Sequence, residues 1–94
     1  MSKEQQSVET GLTTEAIVAA FEKLFSGEKR GVRKFARSGL RYVKLPDDAV
    51  LIEQNTKKRS EWADLALSGH SIAWAIRDGQ FLARVIDGKV EMLR

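Results

Sequence analysis

Two Asp-Gly pairs, Asp78-Gly79 and Asp87-Gly88, stand between alternating runs near the end of the 94-residue chain. A type I′ turn needs φ > 0 at both central positions, which Asp-Gly tolerates, so each pair marks a two-residue hairpin. Residues 71–93 therefore read as a three-stranded antiparallel meander. The loops also set a register. Arg77 faces Gln80, Ile76 faces Phe81 and Trp74 faces Ala83; then Ile86 faces Lys89, Val85 faces Val90 and Arg84 faces Glu91. Because alternate strand residues point to opposite faces, this register gathers Ile72, Trp74, Ile76, Phe81, Ala83, Val85, Val90 and Met92 on one apolar face that needs a cover. Arg77, Gln80, Leu82, Arg84, Ile86, Lys89 and Glu91 share the other face with Ala73 and Ala75.

Upstream, residues 1–12 are polar and aperiodic and read as a tail, with one compact domain over 13–94. Leu12 and Ile17 flank Thr13 as a hydrophobic staple around an N-cap, and Ile17, Ala20, Phe21, Leu24 and Phe25 form an apolar stripe at helical spacing. A second helix is expected over 28–38, burying Val32, Phe35 and Ala36. Arg30, Arg33, Lys34 and Arg37, at i, i+3, i+4 and i+7, share its opposite side. Residues 40–45 and 50–54 read as strands joined by a turn at 46–49. A four-residue loop there places Val43, Leu45, Val50 and Ile52 on one face and Tyr42, Lys44, Leu51 and Glu53 on the other. A third helix, 57–68, starts from a cap at Asn55 or Thr56 and turns Trp62, Leu65 and Ala66 inward over the meander. The expected fold is α+β, a four- to five-stranded antiparallel sheet packed against helices in the order ααββαβββ.

Composition narrows the chemistry. The chain has no cysteine and one histidine, His70, which removes thiolate metal sites and leaves a His-based zinc site improbable. No run approaches the roughly 20 apolar residues of a membrane span or resembles a signal peptide, so a soluble, cytoplasmic protein without a membrane partner is expected. Net charge is +3, and the excess is local: seven Lys and Arg stand against Glu28 alone between Gly27 and Leu45. Such a block is often solvated surface, yet like charges at helical spacing repel, and a polyanion would neutralise them.

Catalytic signals are weak. His70 follows Gly69 with no nucleophile motif around it, no glycine-rich phosphate loop occurs, and Asp47-Asp48 reads as turn chemistry rather than a cation site. An enzyme would need a pocket gathering His70 with Glu53 or Glu61. Neither catalytic residues nor a metal nor another cofactor is expected. Binding signals are stronger, since single-stranded nucleic acid is held by cations for phosphates and flat rings for unstacked bases. Arg30, Arg33, Lys34, Arg37, Arg41, Lys44, Arg77 and Arg84 supply the cations. Tyr42, Trp62, Trp74 and Phe81 supply the rings, although Trp62, Trp74 and Phe81 also fit core stripes. Neither a helix-turn-helix, nor an RRM aromatic motif, nor an OB-fold strand order is evident.

The segments Leu51-Ile52-Glu53-Gln54-Asn55, Trp62-Ala63-Asp64-Leu65-Ala66 and Gly69-His70-Ser71-Ile72-Ala73-Trp74 precede the strand pair around Asp78-Gly79 and Val85-Ile86-Asp87-Gly88. Together, residues 50–90 resemble the ThermoDBP family, single-stranded DNA-binding proteins of thermophilic archaea that stand in for the usual OB-fold protein. The resemblance implies an antiparallel sheet backed by helices, with a cleft of apolar and basic walls for unpaired bases, and it points to Trp62, Trp74 and the basic cluster. It also implies dimers or larger assemblies. Some members use a C-terminal zipper-like helix; no heptad segment follows the last strand here, so a homodimer is expected to use other surfaces.

The expected function is non-catalytic binding of single-stranded DNA, with RNA a near variant. The expected contacts are Arg30, Arg33, Lys34, Arg37, Arg41, Tyr42, Lys44, Trp62, Trp74, Arg77 and Arg84. The alternative is a structural module whose mixed face and edge strand join another subunit without nucleic acid.

Overall fold

The computed structural model describes residues 12–93. Except for Leu12, the expected tail lies outside them. Helix α1 (Thr14–Phe25) begins where the sequence places it: Thr13 is extended, and its hydroxyl accepts from the Ala16 N–H at 3.0 Å. Ile17, Ala20, Phe21 and Leu24 form its buried stripe. The helix closes at Ser26, followed by Gly27 in the left-handed region at φ +86°.

Six strands follow, β1 (Val32–Lys34), β2 (Arg41–Lys44), β3 (Val50–Glu53), β4 (Ile72–Arg77), β5 (Gln80–Ile86) and β6 (Lys89–Met92), with helix α2 (Glu61–Leu67) between β3 and β4. They form one antiparallel sheet in chain order. The α+β class stands, with six strands rather than four or five and the order αβββαβββ.

The additional strand replaces the expected second helix. Val32, Arg33 and Lys34 pair with Val43, Tyr42 and Arg41. The Phe35 N–H donates to the Leu40 carbonyl at 3.0 Å, and the Gly39 N–H returns to the Phe35 carbonyl at 2.8 Å. Gly31 and Gly39 take φ values of +81° and +75°. A helix through Gly31 would cost about 1 kcal/mol relative to alanine and would crowd four cations on one face, whereas the hairpin satisfies the same backbone groups without either cost. The third expected helix is shorter, because Ser60 rather than Asn55 or Thr56 caps it, accepting from the Ala63 N–H at 3.1 Å. Within it Ala63 is buried, Trp62 and Ala66 are half-buried, and Leu65 is exposed.

Two local features change the expected faces. Between β2 and β3 the Leu45 N–H donates to the Ala49 carbonyl at 2.9 Å, leaving a three-residue loop with Asp47 and Asp48 in the left-handed region. That shifts parity by one residue, so Val43 faces Leu51, while Tyr42 faces Ile52 and Lys44 faces Val50. Between β4 and β5 a bulge follows the first hairpin. Arg77–Gln80 and Ile76–Phe81 pair as the turn dictates, but Ala75 then meets Ala83 and Trp74 meets Arg84 rather than Ala83. Leu82 is the extra residue and packs with the core. The second hairpin keeps its expected register throughout.

The covered face therefore carries Val43, Leu51, Ala73, Ala75, Ala83 and Val85, packed with the α1 stripe and Leu45 and Ala49 into one buried core. Helix α1 lies against β2, β3 and β6. The sheet contributes the small side chains of Ala73, Ala75 and Ala83 to that core. Trp74, Ile76 and Phe81, expected beneath a helix with Ala83 and Val85, stand on the opposite face. Helix α2 crosses that second face rather than joining α1. Its Trp62 meets Trp74 edge-on at 5.6 Å, and Ile72, on the Trp74 side of β4, is 1% exposed. Among the described residues no helix is long and apolar enough to cross a membrane.

Candidate nucleic-acid interface

The strand registers put one residue from each strand in a single row across the second face: Arg33, Tyr42, Ile52, Trp74, Arg84 and Glu91. Neighbouring strands lie about 4.8 Å apart, so the row runs roughly 24 Å. A second row, Lys44, Val50, Ile76 and Phe81, lies beside it. Cations, rings and aliphatic side chains thus share one surface, which helix α2 covers at Trp74 and Arg84 through Trp62.

The rings form two groups. Phe35, just beyond β1, stacks on Tyr42 with centroids 4.2 Å apart and planes 21° from parallel. Trp74 packs edge-on against Trp62 and against Phe81, at 5.6 and 5.2 Å. Its Nε1–H donates to Gln54 Oε1 at 2.6 Å, and Gln54 Nε2 donates in turn to the Asn55 carbonyl at 2.9 Å, so the Trp74 ring is fixed by a polar anchor. The second group lines a cleft of ≈ 490 Å³ walled by Leu40, Ile52, Trp62, Trp74, Ile76 and Phe81. Phe81 is 57% exposed, unusual for a phenylalanine without a partner surface.

The expected cations separate by environment. Arg33 and Lys44 are exposed on the aromatic face. Lys34 has the opposite parity and falls on the α1 side. Arg30 and Arg37 are exposed in the turns flanking β1. Arg41 is a structural clamp: its Nε and Nη2 donate to Glu53 Oε1 at 3.2 and 2.9 Å, and its Nη1 to the Leu24 carbonyl at 3.2 Å. Its own N–H donates to Glu53 Oε2 at 2.7 Å. The guanidinium thereby ties the end of α1 to the β2–β3 pair. Arg77 pairs with Asp47, and Arg84 pairs with Glu91 while lying over the Trp62 ring at 4.4 Å. Arg84 Nε is buried and has no hydrogen-bond partner among the described residues.

Sequence reasoning misses Phe35, assigned to a helix interior, and counts Phe81 among the rings but, because it also fits a core stripe, not among the expected contacts. A Ser38-Gly39 turn signal between two short apolar runs was the cue for the first. It also passed over Lys57, Lys58 and Arg59. Lys57 Nζ donates to the Ser38 carbonyl at 2.8 Å, which brings this second basic run to the β1–β2 hairpin.

A smaller groove of ≈ 290 Å³ has both Glu53 and His70 in its walls. Glu53 is engaged by Arg41, and His70 Nδ1 lies 2.7 Å from Asp87 Oδ2 rather than near a carboxylate of the groove. Asp87 Oδ1 also accepts from the Ser71 N–H at 2.9 Å. The His70 and Ser71 bonds hold the Asp87 carboxyl below its usual range. No cluster of three potential metal-ligating side chains occurs among the described residues. No family model, no curated protein and no solved structure matches the chain.

Proposed function

We propose that the protein binds single-stranded DNA without catalysis, using the open sheet face as a stacking platform. The observation that carries this reading is the row Arg33–Tyr42–Ile52–Trp74–Arg84, which sets two rings and an isoleucine between two cations across five hydrogen-bonded strands. Bases would stack on the Phe35–Tyr42 pair and on Phe81, and enter the apolar cleft beside Trp74. Arg33 and Lys44 would meet phosphates, with Arg30 and Arg37 at the strand ends and the 57–59 run extending the track. The resemblance of residues 50–90 to the ThermoDBP family agrees with this role in the cytoplasm. Because every base presents a π face, little sequence preference is expected.

The test is tryptophan fluorescence during titration with oligo-dT, oligo-rU and a DNA duplex at several salt concentrations. Quenching by oligo-dT, a negative log-log salt slope and weaker duplex binding are expected. No response to any of the three at low salt overturns the proposal. Leu67, Phe81 and Met92, exposed at 69%, 57% and 49%, would then favour a protein-interaction module.

A further inference from the structure

Among the described residues strand β6 is an open edge, and its sequence matches itself. The Asp87-Gly88 turn makes Ile86 and Lys89 the bonded pair that closes the hairpin, and the Leu93 N–H donates to the Leu82 carbonyl at 2.8 Å. The backbone groups of Lys89, Glu91 and Leu93 therefore point at β5, and those of Val90 and Met92 point outward. We propose that two copies of the chain pair β6 against β6, antiparallel, about a two-fold axis centred on Val90.

In this register Val90 exchanges both backbone hydrogen bonds with the partner's Val90, which is what its outward N–H and carbonyl require. Lys89 then faces the partner's Glu91, and Glu91 faces the partner's Lys89. Both pairs fall at non-hydrogen-bonded positions, where opposing Cα atoms approach to about 4.5 Å and side chains are closest. Opposite charges directly across an antiparallel pair stabilise it, and like charges oppose it. A two-fold centred on Met92 would lose both pairs, since it sets Glu91 against Leu93.

The β1 edge lacks this complementarity. The Phe35 N–H bond to Leu40 directs the groups of Phe35 and Arg33 at β2 and leaves those of Lys34 outward, while the Val32 N–H is already taken by the Lys29 carbonyl at 3.3 Å. A two-fold on Lys34 opposes two ammonium groups, and Arg30, Arg33 and Lys34 crowd that edge with like charge. Among the described residues the β6 edge is the one suited to a second copy, and cations protect the other.

A two-fold between antiparallel edges is normal to the sheet, so the aromatic faces of both copies lie on the same side. The six-strand row then continues from Arg84 and Glu91 through the partner's Lys89. Helix α1 lies against β6 on the covered side, so the second copy also brings its own α1 toward the junction. This inference is independent of the nucleic-acid reading.

Sedimentation equilibrium of the full chain from about 10 μM to 1 mM, spanning the range of a modest edge interface, tests it. A monomer–dimer equilibrium is expected. Val90→Pro removes the outward N–H and leaves every β5 bond in place, so it should sediment as a monomer with an unchanged circular dichroism spectrum. Lys89→Glu, at an exposed side chain, should weaken association at least tenfold by setting like charges across the axis. A monomeric wild type at the highest concentration overturns the proposal, as does a Lys89→Glu dimer as tight as wild type, even where Val90→Pro does not fold. An assembly larger than a dimer also overturns it, because this two-fold closes after two copies.

Discussion

The guanidinium carbon of Arg84 lies 4.4 Å from the centre of the Trp62 ring and 5.6 Å from that of Trp74, so one cation from β5 fastens helix α2 to the sheet. The contact is planar group on ring, worth about 0.5–2 kcal/mol for a partly desolvated cation. It comes with a buried, unpartnered Nε. Arg84→Met keeps a flexible chain over the indole and removes the unpaired donor. Its unfolding free energy in urea is expected within about 1 kcal/mol of wild type, the lost ring contact and the relieved donor offsetting each other. Arg84→Lys, a compact ammonium that stacks poorly, is expected to destabilise more than the methionine.

Phe81 separates binding from stability. Its ring is more than half exposed, so Phe81→Ala forfeits little burial and should lower the melting temperature by only a few degrees. If bases stack on it, oligo-dT affinity falls by about 1–3 kcal/mol, roughly 5- to 150-fold. Tyr42→Ala should show a loss of the same size. Equal affinities for wild type and both variants exclude the stacking platform.

Arg41 and Lys44 are three residues apart and should behave oppositely. Lys44→Gln should leave the melting temperature unchanged and make the log-log salt slope for oligo-dT shallower by about 0.7, the contribution of one phosphate on a single strand. Arg41→Gln strips the half-buried Glu53 carboxylate and the α1 terminus of their partner. It is expected to cost about 1.5–3 kcal/mol in urea unfolding, the range for hydrogen bonds to charged groups, and to affect the slope little.

The second hairpin should loosen in acid. Asp87 sits in the turn at φ +51°, and its carboxylate accepts from the Ser71 N–H and contacts the His70 ring. Its folded pKa lies below the ordinary value of 3.8. Its stabilising contribution is therefore present above that value and is lost as pH falls through the depressed folded one. Thermal melts should decline more steeply below about pH 4 for wild type than for Asp87→Asn, whose amide does not titrate. Parallel declines would show that the carboxylate contributes nothing.

The chain itself determined whatever depends on neighbours in sequence. The Thr13 cap, the α1 stripe, both Asp-Gly turns and the pairs beside them follow from residues a few positions apart. So does the set of rings and cations. What the tertiary structure decided is the face on which each residue stands. Side chains in a strand alternate with period two, so one added or removed residue inverts everything beyond it. The Leu45–Ala49 closure inverted β3 relative to the expected pairing, and the bulge at Leu82 separated Phe81 from Ala83 and Val85. Neither leaves a local mark, because each is fixed by the packing of Leu51, Ala75 and Ala83 against α1. Similarly, the spacing of Arg30, Arg33, Lys34 and Arg37 suits a helix as read along the chain. Pairing with β2 prevails because it satisfies the backbone of 32–35 with partners that helical spacing cannot reveal. The types of residue available for binding were legible in the sequence. Their assembly into one row across six strands was settled by long-range hydrogen bonds.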